Sequence, residues 1–387
     1  MSHRSTKRER GFSLLEMVIA MAVGTIVMGA AVQLYSQGVG ASWTVTQRSE
    51  LQQDFRAASN IVTKDLSMAG AGLGIGAAIQ LPTSATLPVL GCDQTGACHI
   101  NGAAVNYPVQ GTTPFLYGLI PGFQLGEELA GNPAPTDIVT VVYTDSSFYM
   151  DCYQASVAST TTVNFVLNAA SANCTANGAT IQNLNDSVVG LTAGDLVLFT
   201  FGTAPSATQV VAEVYGTAPT STTVTFATGD PLKMNQAAAD PKSLASINGD
   251  TNGYGMRILV ITYYLDKTVT PPRLMRQVNG HSPIPVAENV VWMKFSYDLF
   301  SDATLLPAVG CTCPGASAAT PINGVTTDGC ATAGASAGML PDQITKINIL
   351  NMAMDSTLMG ALGGYQRLDL QTSVSARNLT YTNDFPN

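Results

Sequence analysis

From residue 12 to residue 32 the chain is apolar at nearly every position, and Glu16 is the one charged residue in the stretch. A helix of about 21 residues rises roughly 30 Å, the thickness of a bilayer's hydrocarbon core. Beyond it the pattern changes rather than stops. Leu51, Phe55, Ala58, Val62, Leu66 and Ala69 recur at three- and four-residue steps, with Glu50, Asp54, Arg56, Lys64 and Asp65 between them. That is the stripe of an amphipathic helix. No Pro occurs between residues 1 and 80, and the first Gly cluster is Gly70, Gly72, Gly74 and Gly76. The pattern therefore predicts one helix over 12–69, roughly 85 Å long. Its part over 12–32 is transmembrane and its second half is one-sided.

Farther on the period shortens. Residues 256–265 are nearly continuous in apolar side chains and read as a central strand. Residues 273–278 read as its hairpin partner, with Pro271 and Pro272 in the turn. Val291, Met293, Phe295, Tyr297 and Leu299 alternate with polar or interfacial positions, the mark of a half-buried strand. Two more strands are predicted at 344–354 and 370–381. In the middle, 137–144, 161–167, 195–201 and 209–215 are short β-type runs separated by Gly, Pro, Ser and Thr. They predict a small, barrel-like β-rich insert over 81–241. Residues 303–340 have the Ala, Gly, Thr and Pro content of a long mobile loop. The fold class is thus α+β: a long amino-terminal helix packed on an antiparallel sheet, a β-rich insert, and a carboxy-terminal sheet region over 250–387.

Composition narrows the function. With 387 residues, 46% hydrophobic and 11% charged, the chain is too apolar for disorder and long enough for one large domain or two modest ones. Formal net charge is -9, although Arg4, Lys7, Arg8 and Arg10 crowd the first ten residues, so the remainder is more acidic still. An acidic body repels phosphate backbones, which argues against direct nucleic-acid binding. The basic head before the apolar span places the amino terminus in the cytoplasm and the body outside it. Three His in the whole chain, one of them His3, leave little for general acid–base or zinc chemistry. No convergent catalytic set, cofactor or resident metal is indicated, so an enzyme is not expected.

Two motifs fail their own context. Gly72-x-Gly74-x-x-Ala77 follows a helix, not a strand, so it reads as the exit from the long helix and not as a dinucleotide site. Asn248-x-Asp250-x-Asn252-Gly253 begins like a calcium loop, but Leu259 stands where the bidentate Glu belongs, and an Asn/Gly turn is the better reading. Seven Cys outside the cytoplasm favour disulfides. The pairings expected are Cys92 with Cys98, Cys152 with Cys174, and Cys330 with Cys311 or Cys313, which leaves one thiol over.

Glu16 separates a disposable signal peptide from a retained helix. A carboxylate within the span costs roughly 2.5–3.5 kcal/mol on insertion scales, a cost without purpose in a segment to be discarded. Arg10-Gly11-Phe12-Ser13-Leu14-Leu15-Glu16-Met17-Val18-Ile19-Ala20 resembles the class III signal of type IV pilins and pseudopilins. The resemblance implies the pilin fold and a leader over 1–11. It implies cleavage by a prepilin peptidase between Gly11 and Phe12, and N-methylation of the Phe12 amine. Glu16 matches the family's assembly glutamate, whose partner would be the Phe12 ammonium of a neighbouring subunit.

Four further stretches are similar to PilW-type minor pilins and, more distantly, to the large minor pseudopilin of type II secretion. They are Tyr263-Tyr264-Leu265, Leu274-Met275-Arg276, Ala287-Glu288-Asn289-Val290 and Val374-Ser375-Ala376-Arg377-Asn378. They imply a minor pilin that primes a type IV pilus and sits at or near its tip. Its partners would be other minor and major pilins, the prepilin peptidase and the inner-membrane assembly platform. Before assembly it would be a single-pass inner-membrane protein with a periplasmic body, and afterwards part of the pilus at the cell surface. A pseudopilin of a type II secretion or DNA-uptake system, and a membrane-anchored adhesin or ligand-binding module, are the alternatives.

Overall fold

The computed structural model describes residues 13–73, 78–83, 86–110, 112–129, 135–148, 150–168, 183–202, 207–236, 240–301, 306–307, 341, 344–356, 365–376 and 378–379. The first element is α1 (Leu14–Ser67), a 54-residue helix. It ends because Gly70 and Gly72 turn the backbone left-handed, at φ 78° and 76°. The exit is then pinned to a strand: the Gly70 amide donates to Val142 O (2.8 Å) and the Thr144 amide to Ala71 O (2.9 Å). A Cβ on Gly72 would collide with the Thr144 hydroxyl, so only glycine fits there.

Six short strands follow: β1 (Ala78–Gln80), β2 (Val89–Leu90), β3 (Val105–Asn106), β4 (Val109–Gln110), β5 (Thr113–Tyr117) and β6 (Leu119–Gly122). The middle of the chain gives β7 (Ile138–Thr144), β8 (Tyr153–Ser159), β9 (Thr162–Leu167), β10 (Leu196–Phe201), β11 (Thr208–Glu213) and β12 (Thr223–Thr225). The remainder gives β13 (Gly253–Asp266), β14 (Arg273–Val278), β15 (Ile284–Glu288), β16 (Val290–Ser301), β17 (Leu306–Pro307), β18 (Ile344–Asp355) and β19 (Arg367–Ser375). Every strand pairing described is antiparallel, isolated bridges aside.

The chain divides into two units. One comprises residues 1–53 and 356–366, and the other 54–355 and 367–387. In the first, α1 carries nearly all the described residues, and the Ser356 amide bonds Gln366 O at 2.7 Å.

The second unit is built on a ten-stranded sheet centred on β13. Its path runs β11-β10-β13-β8-β9-β12, while β7 and β14 pair with the later residues of β13. The structure thereby merges regions that the pattern had separated, because β7, β8 and β10 from the 81–241 stretch pair directly with β13. The reason is length. β13 has 14 residues rather than the ten of the predicted run, and roughly 46 Å of strand can take two partners on each edge.

Alternation along these strands makes two cores. Leu196, Leu198, Ile258 and Val260 face one, closed over by side chains from 73–142 such as Leu90, Ile100 and Tyr117. Val197, Phe199, Val210 and Ala212 face the other, with Phe165 and Phe226. The Asn248–Gly253 motif is the turn into β13, with Asn252 at φ 62°.

A four-stranded sheet of order β17-β16-β18-β19 completes the unit. Met293, Phe295 and Tyr297 of β16 stand opposite Met352, Ile349 and Ile347 of β18, all buried. The last strand departs from the predicted 370–381, since β19 begins at Arg367 and ends at Ser375. Its early start is held by Arg367, whose guanidinium Nε lies 2.7 Å from Asp355 Oδ1 in the register pair. The predicted loop 303–340 lies outside the described residues except for β17.

Candidate assembly segment

The amino-terminal part of α1 is apolar on every side. Its most hydrophobic 18-residue window has a mean hydropathy of 2.1 and none of it is buried within the chain. Leu14, Ile26 and Met28 are 83%, 71% and 69% exposed. Exposure of large apolar groups continues past the length of one bilayer, through Leu34, Tyr35, Trp43 and Val45. Such a surface is stable only in lipid or against other apolar helices.

Several hydroxyls in this segment are met locally. The Thr25 hydroxyl donates to Ala22 O at 2.9 Å and the Ser36 hydroxyl to Gln33 O at 2.9 Å, each one turn back. Glu16 differs. It sits in the first turn, where its amide and that of Met17 donate to Ser13 O at 3.0 and 3.2 Å. Ser13 and Glu16 have the spacing of a capping box, yet neither side chain bonds another described residue. The helix dipole favours a carboxylate at this end by about 0.3–1 kcal/mol, which offsets only part of a membrane cost of roughly 2.5–3.5 kcal/mol. Among the described residues, no cation bonds Glu16. Gly11 and Phe12, the expected cleavage pair, lie outside the described residues.

The far end of α1 is fixed by a network that the sequence pattern did not reveal. Asp65, buried at 5% exposure, accepts from Tyr263 Oη (2.6 Å), Tyr143 Oη (3.1 Å) and Arg276 Nε (2.8 Å). Burial, and then the charge of Asp65, push both tyrosine hydroxyls well above their ordinary range, so they stay protonated and donate. Burial opposes the Arg276 charge, but the bonds to Asp65 and Tyr263 outweigh it and raise its pKa. In the sequence Asp65 was one of the charges between the stripe positions from Leu51 to Ala69. Nothing in the sequence named its partners.

Cys92 and Cys98 form a disulfide that closes a small loop. Within it Asp93 takes bonds from the Thr95 amide (2.8 Å) and from His99 Nε2 (2.8 Å). Burial works against the Asp93 charge, and the Thr95 and His99 contacts overcome it, lowering its pKa. Cys152 is also disulfide-bonded. Cys174, Cys311, Cys313 and Cys330 lie outside the described residues. A cavity of about 480 Å³ beside β3 is lined mainly by apolar groups, among them Leu90, Ile100, Ile120 and Ile138, with Asn101, Asn106, Tyr107 and Thr140 as its polar ones among the described residues. Among the described residues no three His, Cys, Asp or Glu side chains converge as a metal site.

The prokaryotic N-terminal methylation motif family matches residues 6–32. Pilin-like protein PilA3 of Thermus thermophilus is 38% identical over 63 residues, which are 16% of this chain and 27% of that protein. The match thus spans about a quarter of that relative's length. No solved structure matches the chain.

Proposed function

We propose that this chain, a type IV pilin-like protein by its methylation motif and its long apolar helix, is a minor pilin that primes a type IV pilus and is incorporated at or near its tip. The observation that carries the reading is the unbroken α1, which runs from the matched motif through the span and into the sheet unit at Asp65. A cleavable secretory signal would have no reason to continue into the fold.

In this reading the prepilin peptidase removes residues 1–11, Gly11 letting the backbone enter a tight protease site. Phe12 becomes the methylated amino terminus. Residues 12–32 hold the subunit in the inner membrane, amino terminus inward and body in the periplasm. Glu16 then pairs with the Phe12 ammonium of a neighbouring pilin, so two costly charges neutralise each other in an apolar core. The exposed apolar groups from Leu34 to Val45 give the same neighbours more helix to cover. A minor rather than major role is favoured by the size of the β-rich body relative to what one helix and a small sheet require. Other pilins and the inner-membrane assembly platform are the partners.

The test is the intact amino terminus, read by mass spectrometry on protein from a membrane or sheared-surface fraction. A start at Phe12 carrying one extra methyl supports the reading. A start near Val32, or an uncut chain, overturns it.

A further inference from the structure

The sheet face that carries Leu198, Ile258 and Val260 is roofed by residues from 73–142. Toward the other end of the same strands that face carries exposed and half-buried side chains among the described residues. Val166, Gln154, Tyr254, Thr200 and Gln209 stand directly opposite one another across β9, β8, β13, β10 and β11. Directly opposed residues share a face, so these five form one row, about 19 Å long at the usual strand spacing. Thr223, Asn164 and Ser156 make a second row across β12, β9 and β8. Their strand neighbours Phe165, Ala155, Phe199 and Val210 fill the core behind, which holds both rows outward.

The character of this face is specific. Tyr254 is 52% exposed and Val166 62%. The Thr223 hydroxyl donates to Asn164 Oδ1 at 3.1 Å, while the side chains of Gln154, Thr200, Gln209 and Tyr254 bond no other described residue. None of the eight is Asp, Glu, Lys, Arg or His, on a chain of formal net charge -9. One half-exposed aromatic ring therefore stands among amides and hydroxyls that both donate and accept.

That chemistry selects a partner. A nucleic acid needs cations to neutralise phosphates, and the face has none. A lipid surface needs contiguous apolar area or basic groups, and only Tyr254 and Val166 are apolar here. An anionic polymer is repelled by the acidic body, and a cationic one finds no carboxylate on the face. An uncharged sugar polymer meets every term, with C–H faces to lie on the ring and hydroxyls to bond the amides. We propose that this uncharged face, centred on Tyr254, binds a neutral polysaccharide, one sugar ring stacking on Tyr254 while Gln154, Thr200 and Gln209 bond its hydroxyls. The proposal is separate from the assembly role and does not depend on it.

The experiment uses the full chain in detergent micelles, titrated calorimetrically with dextran, mannan, galactan and cellulose oligosaccharides, and with alginate as an anionic probe. Saturable binding of at least one neutral polymer is expected. Tyr254→Ala should weaken it at least about fivefold with an unchanged thermal midpoint. Ile284→Ala, at an exposed site on β15, should leave it unchanged. Binding of no neutral polymer, preference for alginate, or equal loss in both variants overturns the proposal. So does a wild-type dimer that Tyr254→Ala dissociates, because the face would then belong to a second copy. The readout uses purified chain, so its failure leaves the assembly reading standing.

Discussion

Glu213 offers the sharpest test of the fold's energetics. It ends β11 with 0% exposure, 4% for its neighbour Asp230. Asp230 accepts the amides of Met234 (2.7 Å) and Asn235 (2.9 Å), the pattern of a fixed carboxylate. Glu213 Oε2 accepts the Leu232 amide at 3.1 Å, and the Gln94 side chain donates to Oε1. Burial, and then the bond to and charge of Asp230, push the Glu213 carboxyl from its ordinary 4.5 to about 9. Folded protein therefore keeps a proton on Glu213 that the unfolded chain releases once the pH passes 4.5. A raised pKa gives stability that is fully present below the unfolded value and is lost as pH climbs through the folded one. Within that window the loss is on the order of 1 kcal/mol per pH unit, so roughly 2–3 kcal/mol between pH 6 and pH 8.

Glu213→Gln removes the titration. The amide still donates toward Asp230 but gives up one acceptor, a pH-independent cost of about 1 kcal/mol. The level of stability is therefore a poor readout and its slope a good one. Urea unfolding followed by far-UV circular dichroism, with disulfides intact, should give a wild-type midpoint that falls from pH 6 to pH 8. The variant should lose about 2–3 kcal/mol less over the same interval. Profiles that stay parallel would refute the shared-proton account.

Three further outcomes are expected. Asp65→Ala leaves Arg276 and two tyrosine hydroxyls without their acceptor and should destabilise the sheet unit by about 3–5 kcal/mol; Asp65→Leu with Arg276→Met should recover most of it, both read by urea midpoints. Replacing Cys92 and Cys98 by Ser should cost about 2 kcal/mol in the same assay, the entropy of reopening a short loop. Glu16→Ala should leave membrane insertion intact but deplete the subunit from sheared filaments, and wild-type amounts there would count against the pairing with Phe12.

The helix was legible because its evidence is local: a 3.6-residue stripe, no Pro before residue 80, and a Gly exit. Strands that alternate or run apolar for six residues or more were legible for the same reason. β1 to β6 were not, because two to five residues between Gly and Pro carry too little period to read. The opening of β13 was hidden by its glycines. Gly253 and Gly255 look like a turn, yet a Cβ on Gly253 would run into the Phe201 ring, and one on Gly255 would sit 3.0 Å from Phe165 and 3.3 Å from Met150. They are strand glycines chosen for the aromatic core beneath them. The Asp65 network joins residues up to 211 positions apart, and no pattern within either segment encodes that meeting. Glu16 was visible because it breaks its surroundings.

The two halves of α1 meet their polar demands in opposite ways, and that contrast bears on function. In the membrane-length half, the Thr25 hydroxyl turns back onto its own helix and needs nothing from outside. In the sheet-bound half, Asp65 is satisfied three times over, by side chains of β7, β13 and β14. Tyr263 and Tyr264 show how tightly that half is set: adjacent in β13, one bonds Asp65 while the other packs in the core under the 73–142 roof. A one-residue slip of β13 would exchange them and abolish both contacts. Among the charged residues of α1, Glu16 is then the one set in an apolar span with neither a local nor a distant partner among the described residues. The sheet-bound end of the helix settles its buried carboxylate within the chain, and the proposed pairing of Glu16 with a neighbouring subunit's ammonium would be the matching solution at the membrane-length end.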